Sequence, residues 1–144
     1  MKTCVEKLNQ FVIKAISSPG NVNEFTIIGE VSQNTIDIIN EKYRIDLRGF
    51  KHIIDFSSIR HIWQRHGPQS NDRTPIEYSD FIFIPFILSN PDVVKQAQET
   101  GPNGEMRFIF EKKLPGECFY VTIQEVRRGH KSVSCVSLRK RKTR

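Results

Sequence analysis

The residues able to do chemistry concentrate in Ser57-Ser58-Ile59-Arg60-His61-Ile62-Trp63-Gln64-Arg65-His66-Gly67, which holds two of the four histidines, two arginines and the only tryptophan. The serine pair offers hydroxyls to the orphan amides of a first helical turn, and Gly67 with Pro68 behind it offers a left-handed stop. Between these ends Ile59, Ile62, Trp63 and His66 recur at i, i+3, i+4 and i+7, one face of a helix. His61 and His66 then lie roughly 140° apart around the axis, too far to share a metal as a four-residue spacing would allow. A histidine at a helix C-terminus, where the helix end favours a cation, suits binding and cleaving a phosphodiester when arginines stand beside it. The plainer reading makes His66 a hydrogen-bonded core histidine and His61 a solvated one; spacing alone leaves both open.

The chain around this stretch has 144 residues, which the usual size relation makes one domain, residues 1–144. Its hydrophobic fraction of 38% and charged fraction of 26% are those of a folded chain rather than a disordered one. No apolar run approaches the roughly 18 residues of a membrane span, so no membrane association is expected. The N-terminus, with Glu6 and Asn9 in its first turns, lacks the long apolar region of a secretory signal. Cys4, Cys118 and Cys135 are odd in number and irregular in spacing, which implies neither a disulfide framework nor a zinc site and fits reduced thiols in a cytoplasm. Lys and Arg exceed Asp and Glu by 22 − 16, a net charge of +6 that leans toward a polyanionic partner. Part of that charge sits in a basic C-terminal tail, residues 139–144, which is equally an ordinary solvated end.

Helices are expected first. Val5, Leu8, Phe11, Val12, Ala15 and Ile16 mark an amphipathic helix from Thr3 to Ser17, broken by Ser18-Pro19-Gly20. An extended segment follows over Phe25 to Val31. Ser32 caps a second helix carrying Ile36, Ile39 and Tyr43, and Ile45 to Leu47 and Lys51 to Phe56 read as extended pieces leading into the histidine helix. His52 there reads as incidental on a strand edge. The polar loop Gln69 to Arg73 is placed to rim a site. Thr74-Pro75 opens a helix with Phe81, Ile84, Ile87 and Leu88 inward and a kink at Pro85, ended by Asn90-Pro91-Asp92.

Beyond Gly101-Pro102-Asn103-Gly104 the period changes to two. Met106 to Lys112, Cys118 to Arg127 and Ser132 to Arg139 read as three strands of an antiparallel meander, with Arg128 to Lys131 as a hairpin turn. The fold class is therefore α+β, with N-terminal helices packed against a small C-terminal antiparallel β-sheet. On the second strand Phe119, Val121, Ile123 and Val126 are expected inside, with Tyr120, Thr122, Gln124, Glu125 and Arg127 on a polar face and a bulge near Gln124. Such a face is either plain solvent surface or, against the histidine helix, a basic cleft rich in hydroxyls.

The order Ile28-Gly29-Glu30-Val31, Asp55 to Gly67, Pro75-Ile76-Glu77 with Ser79-Asp80, Asn90-Pro91-Asp92 and a terminal hairpin ending in a hydroxyl and basic groups resembles phage-encoded nucleases of the barnase, EndoU, colicin and RelE-like (BECR) superfamily, from about Phe25 onward. The resemblance implies an RNA-cleaving toxin domain, tRNA being one class of substrate. It also implies delivery as the payload of a larger phage or contact-dependent inhibition protein and neutralisation by a cognate immunity protein. By position it makes His61 and His66 the helix histidines and Ser137 the last-strand hydroxyl, where threonine would be expected; Tyr120, Thr122 and Arg107 follow from the sheet face.

The chemistry that fits is attack of a ribose 2′-hydroxyl on the adjacent phosphorus, giving a 2′,3′-cyclic phosphate without metal or cofactor. His61 and His66 would exchange protons, Ser137 or Tyr120 would donate to a nonbridging oxygen, and Arg60, Arg65, Arg107, Thr122 and Arg127 would hold substrate. Two other classes compete with this reading. A noncatalytic nucleic-acid-binding module would use the basic tail with Phe119 and Tyr120, and its steeply salt-dependent binding would survive loss of both histidines. An immunity or adaptor protein is disfavoured by the positive charge, since like charges would slow its encounter with a basic nuclease.

Overall fold

Thr3 opens the first helix with a reciprocal capping box: its hydroxyl accepts from the Glu6 amide while the Glu6 carboxylate accepts from its own. In this computed structural model, which describes residues 3–116 and 118–142, helix α1 spans Cys4–Ser17 and buries Leu8, Val12 and Ala15. Strand β1 (Phe25–Glu30) leads to α2 (Gln33–Tyr43), which Ser32 caps and a left-handed Arg44 closes. The segment from Ile45 to Leu47 is not a strand; Ile45 and Leu47 simply plug the core. Strand β2 (Lys51–Asp55) runs directly into the histidine helix, α3 (Phe56–His66).

Two expected boundaries of α3 change. Asp55, not the serine pair, is the N-cap, its carboxylate accepting from the Ser58 amide at 2.8 Å. Gly67 is extended rather than left-handed (φ −80°, ψ −167°). It is required for another reason: a Cβ there would collide with the Trp63 carbonyl oxygen.

The region expected to form one kinked helix is two elements, a 3₁₀ turn at Tyr78–Phe83 and a short α4 (Ile84–Ser89). Pro85 falls in the first turn of α4, where its missing amide costs nothing, so it starts a helix instead of bending one.

The sheet is larger than the expected meander. Strands β3 (Val93–Gln96), β4 (Arg107–Leu114), β5 (Cys118–Arg127) and β6 (Ser132–Lys142) join β1 and β2 in the order β1-β2-β6-β5-β4-β3. All neighbours are antiparallel except β2 and β6, which pair in parallel at Lys51 to Ser132, His52 to Val133 and Ile53 to Ser134. Residues 139–142 therefore belong to a central strand rather than a free tail; Thr143 and Arg144 lie outside the described residues. The bulge falls where the β5 pattern placed it but on the partner: Ile123 faces Ser137 and Gln124 faces Cys135, leaving Val136 unpaired on β6.

From Tyr120 to Gln124 β5 alternates opposite to expectation, while Val126 is buried as expected. Tyr120, Thr122, Gln124 and Val126 are buried, with Phe108 and Phe110 of β4 and Leu138 of β6, while Val121 and Ile123 are half-exposed. Tyr43 from α2 and Phe83 from the 3₁₀ turn pack on Phe108 and Tyr120 of that buried face. Periodicity gives which residues share a side but not which side the helices cover, and here the covered side is the more polar one. Cys4, Cys118 and Cys135 are free thiols, and no helix among the described residues is long and apolar enough to cross a membrane.

His52 is 1% exposed, because β2 is flanked on both sides and not an edge strand. Its ring meets Phe110 edge-on at 5.9 Å, and neither nitrogen reaches hydrogen-bond geometry. Burial holds its pKa down to about 4 from the ordinary 6.5. Between those values the unfolded chain binds a proton that the folded one does not, so stability rises with pH across that window and falls on acidification. The expected loss from His52 alone is about 2 kcal/mol between about pH 7 and pH 5. Urea midpoints at the two pH values should show it, and His52→Gln should shrink the difference.

Candidate active site

One face of the sheet is left open. Register places Lys95 of β3, Ile109 and Glu111 of β4, Val121 of β5, and Arg139 and Arg141 of β6 side by side on it: Lys95 faces Ile109, Glu111 faces Val121, and Val121 faces Arg139. With His66, Asp72, Arg73 and Thr74 they line a cavity of about 470 Å³, Lys140 completing the wall.

Local bonds hold the loop after α3 against this cavity. The Ile76 amide donates to the His66 carbonyl at 2.7 Å, the Ser70 hydroxyl donates to the Gly67 carbonyl at 2.6 Å, and Tyr78 stacks on Trp63 with centroids 4.3 Å apart. The loop thereby delivers Asp72, whose Oδ2 lies 2.8 Å from His66 Nδ1. A carboxylate on Nδ1 fixes the ring and its tautomer, leaving Nε2 to exchange a proton with a ligand.

The charges in the cavity are lopsided. Lys140 is committed to Asp80 at 2.7 Å and Lys95 lies 3.6 Å from Glu111, while the Arg141 guanidinium sits over the Phe119 ring at 4.6 Å. Arg73 and Arg139 have no acidic partner among the described residues, so two guanidiniums stand ready for an anion, and guanidinium is the group best shaped to fork onto a phosphate. The field extends along α3: partial burial, then Arg65, His66 and Arg107, lower the pKa of His61.

The residues expected from sequence separate into three groups. His66 lines the cavity, and His61 lies within the field of the cations Arg65 and Arg107. Ser137 lies on the same face of β6 opposite Ile123, half-buried, without lining the cavity. Arg107 and Arg127 are both tied to Glu125, at 2.8 and 3.0 Å, with Arg127 also 3.9 Å from Asp55.

The third group is turned away. Tyr120 is on the opposite face, its hydroxyl donating to Asp80 Oδ1 at 2.5 Å; burial and that carboxylate push its ionisation far up. Thr122 is buried beside it, donating to the Phe110 carbonyl at 3.5 Å. Arg60 donates to the carbonyls of Ala15, Pro19, Gly20 and Val22, clamping the link between α1 and β1 instead of meeting a ligand.

Glu111, Lys95 and Asp72 were not among the candidates. The loop through Arg73 and the basic run from Arg139 carried a signal, but Glu111 and Lys95 acquire meaning only once β3 pairs with β4.

An α+β fold that gathers guanidiniums and a carboxylate-held histidine around one cavity carries groups whose chemistry suits a phosphodiester. The family model described as phage-Barnase-EndoU-ColicinE5/D-RelE like nuclease3 matches residues 29–144, and the chain belongs to that family. It is accordingly a nuclease, an enzyme whose substrate is a nucleic acid. No curated protein and no solved structure matches the chain.

Proposed function

We propose that the protein is a metal-independent endoribonuclease toxin that cleaves RNA by transesterification at the cavity over β4, β5 and β6. The observation carrying this reading is the meeting, in one cavity, of the His66–Asp72 pair, a second carboxylate at Glu111 and the unpaired guanidiniums Arg73 and Arg139.

Glu111 takes the proton of a ribose 2′-hydroxyl as its oxygen bonds to phosphorus. His66 gives the Nε2 proton to the departing 5′-oxygen as the P–O5′ bond breaks. Arg73 and Arg139 balance the charge building on the equatorial oxygens, the task that a metal performs elsewhere. The products are a 2′,3′-cyclic phosphate and a free 5′-hydroxyl. His61, its cationic form disfavoured by partial burial and by Arg65, His66 and Arg107, takes no part in proton transfer in this scheme.

A domain of this kind acts inside a target bacterium after delivery by a larger phage or contact-dependent inhibition protein. With a charge of +6 it pairs best with an acidic immunity protein. Incubated with total bacterial RNA, tRNA included, in EDTA, the protein should release fragments ending in cyclic phosphate. An oligonucleotide with a 2′-deoxyribose at the cleavage position should stay intact. Activity that vanishes in EDTA and returns with magnesium or zinc, or cleavage of the deoxy substrate, would overturn the scheme.

A further inference from the structure

The open sheet face carries a second cavity, of about 520 Å³, at its opposite edge, where Phe25, Ile27, Ile53, Arg127, His130 and Lys131 come together. Register puts it on the same side as the first. Phe25 faces Asp55 and Ile27 faces Ile53; Ile53 pairs with Ser134, which faces Glu125, two residues along β5 from Arg127 and four from Val121.

Phe25 is 65% exposed and Ile27 58%, on a strand at the sheet edge. An aromatic ring held in water beside cations is the arrangement that stacks a nucleobase while its phosphate is held electrostatically. The acids in this lining are engaged: Glu24 with Lys14 at 3.2 Å, and Asp55 with the α3 amide of Ser58 and with Arg127. Among the described residues, the Asp46 carboxylate near Lys131 is already held by Arg48, and His130 has no acidic partner. Between the cavities Glu125, 2% exposed beneath the turn at Gly101, ties Arg107 to Arg127, and Val121 to Arg127 spans roughly 20 Å of strand. Asn23 through Ile27 precede the segment matched by the nuclease family, so family membership assigns them no role.

We propose that this second cavity is a subsite for single-stranded RNA flanking the scissile bond. One base stacks on Phe25 and the neighbouring phosphate meets Lys131. Charge complementarity and the position on the same side of the sheet as the first cavity argue for a nucleic-acid strand as the occupant, and the proposal rests on the ribonuclease reading above.

The test pairs kinetics with binding. Phe25→Ala should raise KM about tenfold for an oligoribonucleotide long enough to span both cavities. It should leave kcat unchanged and leave cleavage of a dinucleoside monophosphate unaffected, and Phe25→Trp should restore KM. Lys131→Asn, which suits the left-handed backbone there (φ 46°), should flatten the salt dependence of binding. Fluorescence anisotropy with an uncleavable 2′-deoxy oligonucleotide reads the subsite even where no cleavage occurs, and Phe25→Ala should weaken that binding about tenfold. Equal losses on long and short substrates, or unchanged binding and KM, would overturn the proposal. Unchanged affinity for the oligonucleotide with loss of a protein complex would assign the patch to protein docking instead.

Discussion

His66→Ala is expected to lower kcat on RNA by about 10²- to 10⁴-fold, the usual worth of a positioned general acid, with little change in KM or melting temperature. The ring is half-buried at the end of α3, and its one protein hydrogen bond is to Asp72, so its removal strands no core group. Asp72→Asn should cost less, because the imidazole stays while its tautomer and orientation loosen; Asp72 is a positioning residue. Steady-state rates on a defined oligoribonucleotide, with melting curves for each variant, separate the two effects. A His66→Ala enzyme within about threefold of wild type would remove His66 from the proton-transfer role and return attention to His61, which the same assay would then address.

Much of the frame was legible because it rests on local rules. Thr3 and Ser32 cap where hydroxyls should, the 3.6-residue period of α1 to α3 holds, and the late change to period two marks β4 to β6. The histidine helix was legible for the same reason. What local rules cannot supply is pairing between distant segments. The parallel contact between β2 and β6 turns a supposed edge into the sheet interior, so His52 is buried. The face of β5 was inverted because Tyr120, Thr122 and Gln124 look like solvent-facing residues. Tyr120 is buried at tolerable cost only because Asp80, forty residues away, meets it.

Glu111 and Lys95 escaped for a related reason. A four-residue strand of Val93-Val94-Lys95-Gln96 carries too little pattern to be read, and without β3 there is no reason to set Lys95 against Glu111. Arg60 illustrates the converse: it sits in the most chemically suggestive stretch of the chain yet spends its guanidinium on four backbone carbonyls. An arginine beside a histidine is thus evidence for a phosphate site only when its donors are unspent, as those of Arg73 and Arg139 are.

The same accounting predicts that Asp80→Ala will be the most destabilising single change near the site. Asp80 accepts from the Tyr120 hydroxyl at 2.5 Å, from Lys140 Nζ at 2.7 Å and from the Glu77 amide at 2.7 Å, and it is only 3% exposed. Removing it leaves an ammonium and a phenol largely out of water with no partner, a loss of about 3–5 kcal/mol. Thermal or urea unfolding should register a fall of roughly 10 °C or more for a chain of this size. Tyr120→Phe removes only one donor and should cost about 1 kcal/mol. If the penalty arises from the stranded cation, Lys140→Met added to Asp80→Ala should recover part of it, since an apolar pair replaces an unpaired charge. Lys140 lies between Arg139 and Arg141 on β6 and pairs with Tyr120 across the ladder, so the buried anchor also holds the strand that presents both guanidiniums to the cavity. Asp80→Ala should therefore raise KM for RNA even at temperatures where the protein remains folded. A variant as stable as wild type would mean that water reaches Lys140 freely and that the anchor is a surface ion pair after all.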